Sequence, residues 1–178
     1  MVATKNKPFK LLSNAPQNLL VFLCLLGTLI FLIGFDKPKP VKIGDRPPEF
    51  FLSDLTGNLR SLYQFKGKIV IVYFWNDSCH KDRSPLVDDS FYQKYKEKGL
   101  AILAINSGQP RKFVEAFVKN NKNVSYEILL DQRSTAFKQY GVVGLPMYFI
   151  LDRQGIVRQR ILGEISLENL EKLVVSLL

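Results

Sequence analysis

Seven residues in a row, Ile69-Val70-Ile71-Val72-Tyr73-Phe74-Trp75, are apolar, first β-branched and then aromatic. Such a run reads as a buried strand. The turn sequence Lys66-Gly67-Lys68 feeds it, and a short polar loop, Asn76-Asp77-Ser78, follows it. Cys79 then stands where a helix is expected to begin. There it would lie at the positive end of the helix dipole, beside unpaired backbone N–H groups. That setting lowers a thiol pKa and makes the sulfur a nucleophile. Lys81 and His80 would also favour the thiolate, whereas Asp82, one helical turn on, would oppose it. Three residues after Cys79 the chain carries Asp82 and not a second cysteine.

The rest of the composition excludes several classes. The two cysteines, Cys24 in an apolar tract and Cys79 after the strand, do not build a disulfide scaffold. His80 is the single histidine, so a zinc site of the usual kinds is not expected, and neither is a cofactor. The net charge of +9 divides into +4 over residues 1–40 and +5 over the remainder, where it is scattered. A nucleic-acid surface needs a concentrated stripe or a known module, so no nucleic-acid partner is expected.

Residues 1–17 are polar and basic, and residues 18–35 carry no charge. Eighteen helical residues span about 27 Å, close to the hydrocarbon thickness of a bilayer. A cleaved signal peptide is the competing reading. The long apolar run, and the lack of a small-x-small site before Asp36-Lys37-Pro38-Lys39-Pro40, favour an uncleaved anchor. Lysines flank both ends of the span, so charge alone leaves its orientation nearly balanced. Residues 36–48, with Pro38, Pro40, Pro47 and Pro48, are expected as a semi-rigid linker. The domain, residues 43–178, overlaps its end.

Within the domain the patterns predict a hairpin around Thr56-Gly57-Asn58, a central strand over 69–75, and a helix over 79–98, kinked or restarted near Pro85. A strand over 100–106 and a helix over 111–119 follow, with Phe113, Val114, Phe117 and Val118 on its inner face. Next come a strand over 126–130, a helix over 134–140, and strands over 147–151 and 156–162 joined by a turn. Ser166 caps a last helix, with Leu167, Leu170, Leu173, Val174 and Leu177 inward. This alternation implies an α/β fold whose sheet is largely parallel, with antiparallel strands added by the final hairpin.

The order and spacing of several motifs carry a resemblance. Ile43-Gly44-Asp45-Arg46-Pro47-Pro48-Glu49-Phe50 opens the domain, and Leu55-Thr56-Gly57, Leu62 and Phe65-Lys66-Gly67-Lys68 follow. Phe74-Trp75 precedes Cys79 by four residues. Asp131, then Tyr140-Gly141-Val142-Val143-Gly144-Leu145-Pro146 and Phe149-Ile150-Leu151-Asp152-Arg153-Gln154-Gly155, close the set. Over residues 43–176 the chain resembles membrane-anchored thioredoxin-like proteins of the TlpA, ResA and CcmG type, in the redoxin (AhpC/TSA) superfamily. The resemblance implies a thioredoxin-like fold: a central mixed sheet flanked by helices, with an N-terminal β-hairpin, preceded by one transmembrane helix. It implies Cys79 as the active thiol, with Trp75, His80, Lys81 and Asp82 around it. It also implies a cis Pro146 that, with Leu145, forms a partner groove. It places the domain on the extracytoplasmic (periplasmic) side of a bacterial inner membrane, facing cysteine-containing partners such as apocytochrome c.

The departure is Cys79-His80-Lys81-Asp82 where the family carries Cys-x-x-Cys. A lone thiol can form a mixed disulfide but cannot resolve it. Three readings follow: monothiol exchange on extracytoplasmic proteins, a non-catalytic binding module, and a peroxiredoxin. The last lacks its usual residues, since Asn76 and Val72 stand where Thr or Ser and Pro are needed.

Overall fold

In a computed structural model of the protein, residues 39–77, 87–120 and 124–178 are described. The expected span over 18–35 and the segment Cys79-His80-Lys81-Asp82 lie outside them. Among the described residues no helix is long and apolar enough to cross a membrane.

Seven strands form one sheet: β1 (Phe51–Asp54), β2 (Leu59–Ser61), β3 (Ile69–Trp75), β4 (Leu100–Ser107), β5 (Glu127–Asp131), β6 (Met147–Leu151) and β7 (Val157–Leu162). Four helices accompany them: α1 (Asp89–Tyr95), α2 (Arg111–Asn120), α3 (Thr135–Gln139) and α4 (Leu167–Val175). The strand order is β2-β1-β5-β4-β3-β6-β7. Only β3–β4 and β4–β5 pair in parallel; the other four neighbours are antiparallel. The alternation alone suggests a largely parallel sheet; the sheet is mixed, as the resemblance implied, because β1–β5 and β3–β6 also pair antiparallel. Hairpin connections as short as those of β1–β2 and β6–β7 permit only antiparallel pairing.

All seven β3 residues are buried, because both faces of the strand are covered. Val70, Val72 and Phe74 point into one core with Leu103, Ile105, Tyr140 and Phe149. Ile69, Ile71, Tyr73 and Trp75 point into the other with Ile102, Val114, Leu170 and Val174. This is the two-residue alternation of a strand.

The helices are narrower at their ends than the patterns predict. On α2, Val114 is fully buried, but Phe113 is 42% exposed. Phe117 and Val118, one turn on, both pack on the core, so it is the first turn of the helix that overhangs the sheet. Leu167, the first residue of α4 after the Ser166 cap, is likewise exposed, while Leu170 and Val174 are buried. Helix α1 begins at Asp89, where the Asp88 carboxylate accepts from Ser90 N at 2.7 Å; the expected kink near Pro85 lies outside the described residues. Gly99, at φ 96°, ends the turn after α1.

The expected linker gives up its last part to the domain. Val41 is buried, and its N–H donates to Tyr140 O at 3.2 Å. Gly44 N donates to Val157 O at 2.8 Å. Pro40 lies so close to Gly141 that a Cβ there would meet it at 2.5 Å, so position 141 must lack a side chain.

Candidate active site

The parallel strands β3 and β4 end together, Trp75 opposite Asn106. Antiparallel β6 begins beside the same place, since Phe74 pairs with Met147. The chain leaving β3 towards Cys79 and the chain entering β6 from Pro146 therefore part from the sheet side by side. In open α/β sheets the carboxyl ends of parallel strands are where loops gather into a site.

The Leu145–Pro146 peptide bond is cis, as the resemblance implied. Pro146 is buried, and its carbonyl accepts from Gly163 N at 2.8 Å. Leu145 is half-buried and packs on the core. Trp75 is completely buried and lies 5.2 Å, centroid to centroid, from Phe117. It is a wall behind the site and presents no surface to a partner. Tyr73 stacks on Tyr148 at 4.4 Å, so the strand below is anchored by rings on both sides of the β3–β6 pairing.

The sequence reading missed a polar clamp. Gln109 Oε1 accepts from Asp77 N at 3.2 Å and from Asn106 Nδ2 at 2.8 Å, and Gln109 Nε2 donates to Asp77 Oδ1 at 2.6 Å. These bonds hold Asp77, the last described residue before the Cys79 segment, against the end of β4. Among the described residues, Asn106 Oδ1 and Trp75 Nε1, cross-strand neighbours, have no hydrogen-bond partner. The signal was Asn106 itself, a polar residue closing an otherwise apolar strand.

The chain is re-anchored at residue 87. Tyr126 donates its hydroxyl to Val87 O at 2.8 Å, and burial pushes that hydroxyl's pKa well up. Hydrogen bonds from Ser90 hold the Asp88 carboxyl below its usual range. The structure thus fixes the ground on both sides of the Cys79 segment. Of the expected site residues, Trp75 and Pro146 lie at the same end of the β3–β6 pair, with Trp75 in one core and Leu145 packed on the other; Cys79, His80, Lys81 and Asp82 are outside the described residues. Among the described residues no group of three or more His, Cys, Asp or Glu could hold a metal ion.

The AhpC/TSA family profile matches residues 43–160. A thiol-disulfide oxidoreductase ResA of Geobacillus kaustophilus is 32% identical over 160 residues, covering 89% of this chain and 91% of the relative. ResA of Bacillus thuringiensis subsp. konkukian is 34% identical over 157 residues, covering 86% and 90%. Among solved structures, a putative thiol:disulfide interchange protein DsbE from Chlorobium tepidum superposes with a TM-score of 0.67 at 25% identity, over 76% of this chain and 97% of that one. StoA from Bacillus subtilis gives 0.60 at 25% identity, over 71% and 96%. With its mixed sheet, its cis proline and these relatives, the chain belongs to the AhpC/TSA family, as a thioredoxin-like protein of the ResA type.

Proposed function

We propose that the protein exchanges thiols and disulfides with partner proteins through the single thiol of Cys79. The observation that carries this reading is the β3–β6 register, which sends the chain towards Cys79 and the chain from Pro146 out of the sheet together, in a protein similar to ResA. The Cys79 thiolate attacks one sulfur of a partner disulfide. That S–S bond breaks, a Cys79–partner disulfide forms, and the partner's other sulfur leaves as a thiolate that takes a proton from water. Asp82 cannot resolve the mixed disulfide. An external dithiol does so, leaving as a disulfide and returning both Cys79 and the partner to thiols. Residues 18–35 anchor the protein in the inner membrane, with the domain on the extracytoplasmic side, and its partners are disulfide-containing proteins there.

Acid-quenched thiol trapping in native membranes tests this. The wild type is expected to yield disulfide-linked adducts that disappear in Cys79→Ser. Asp82 in the resolving position favours one rival, a module that binds partners without chemistry. Absence of adducts, with full complementation by Cys79→Ser, establishes that rival instead.

A further inference from the structure

At the other end of β3, where the strand begins, lies a cavity of about 230 Å³. Three segments wall it: residues 46–49, residues 62–70 and residues 151–155. Each wall is tied to the next. The Glu49 carboxylate accepts from Tyr63 N at 3.1 Å. Gly67 N donates to Arg153 O at 3.2 Å, and Val157 N donates to Asp45 O at 3.0 Å. The collar is closed, so the cavity exists before any ligand arrives. Its floor is apolar, made by buried Leu62, Val70 and Leu151.

The charges on the rim are unequal. Asp152 is taken up by Gln154 N, Ile156 N and Arg158. Arg46, Lys66 and Lys68 have no carboxylate partner among the described residues. Arg46 is exposed, and its guanidinium reaches over the second turn, 3.3 Å from where a Cβ of Gly155 would stand. A preformed apolar floor under cations that no carboxylate engages, Lys66 resting only over the Tyr63 ring, fits a small amphiphile with a phosphate or carboxylate head. We propose that this collar binds such an anionic amphiphile, about 20 Å along β3 from Trp75. The volume suits one ring or a short chain, and the source is either a free metabolite-sized anion or the head region of an anionic lipid.

The test uses the full chain in phosphatidylcholine nanodiscs, titrated with phenyl phosphate and followed by saturation-transfer NMR. Saturable binding is expected, with the Kd raised at least tenfold in the exposed double variant Lys66→Glu/Lys68→Glu and no comparable binding of phenol or inorganic phosphate. Phenyl phosphate binding no tighter than phenol, or an unchanged Kd in the double variant, overturns the proposal. Amine labelling of Lys66 and Lys68 then separates the sources. Protection in phosphatidylglycerol nanodiscs but not in phosphatidylcholine assigns the site to a lipid head, and equal labelling in both assigns it to a free amphiphile.

Discussion

At one edge of the sheet, Asp54 accepts from Thr56 N at 2.8 Å, Asn58 N at 2.9 Å and Arg60 Nε at 3.2 Å. At the other, Asp152 accepts from Gln154 N at 2.9 Å, Ile156 N at 2.9 Å and Arg158 Nε at 2.6 Å. The β1–β2 and β6–β7 hairpins thus share one device: an aspartate at the strand end, backbone donors two and four residues on, and an arginine six residues on. Both place glycine third after the aspartate, with φ 92° at Gly57 and 75° at Gly155. The Asx-type turn is local chemistry and repeats wherever the residues repeat. Surroundings then divide the two. Arg111 grips the first turn through the carbonyls of Leu55 and Asp54. The second turn is a wall of the basic collar, and Arg153 within it donates to the carbonyls of Lys98 and Leu178.

Asp54→Ala and Asp152→Ala are expected to cost most, about 2–4 kcal/mol each in urea unfolding, because turn N–H groups lose their acceptor. Asp54→Ala costs more, since Asp54 also accepts from the Thr56 hydroxyl at 2.7 Å. Equal losses would remove that distinction between the hairpins.

The acid limb comes next. Burial alone would raise the Asp54 carboxyl, but the Thr56 and Asn58 donors outweigh it and hold the pKa at about 2. Burial opposes Asp152 in the same way, and the Ile156, Arg158 and Gln154 donors lower its carboxyl. A carboxylate with a depressed folded pKa stabilises fully above its unfolded pKa and loses that contribution as pH falls through the folded value. Stability measured from pH 5 down to pH 2 should therefore drop, and Asp54→Asn should flatten the drop. An unchanged slope in that variant would show that Asp54 does not set it.

Gly57→Ala meets open space and should cost about 1 kcal/mol for its left-handed backbone alone. Gly155→Ala meets only the end of the exposed Arg46 side chain, which can yield, so it should cost about the same. The arginines come last. Arg60→Gln should cost about 1 kcal/mol, because Arg60 also meets Glu127 at 3.2 Å, and Arg158→Gln, half exposed with one partner, about half as much. Both losses should shrink in high salt.

The central strand was legible because burial on both faces forces an unbroken apolar run, and β3 falls on the expected residues. The hairpins were legible from glycine-bearing turns. Phe113 and Leu167 were misread because a helix pattern shows which stripe is apolar but not how far the sheet beneath extends. The clamp of Asp77, Asn106 and Gln109 escaped notice because it joins two loops 32 residues apart through polar side chains that obey no period.

By itself, the sequence determined the strand before Cys79, the turn chemistry of both hairpins, the proline at position 146, and that Asp82 and not a second cysteine follows Cys79 by three residues. Each is a local property of a few neighbouring residues. Tertiary structure alone decided that Val41 joins the core, that β6 lies antiparallel against β3 and so brings Pro146 beside the chain to Cys79, and that three separated segments close a basic collar. Those outcomes depend on which surfaces meet across the sheet, and contacts between residues far apart in the chain leave no pattern in either stretch alone.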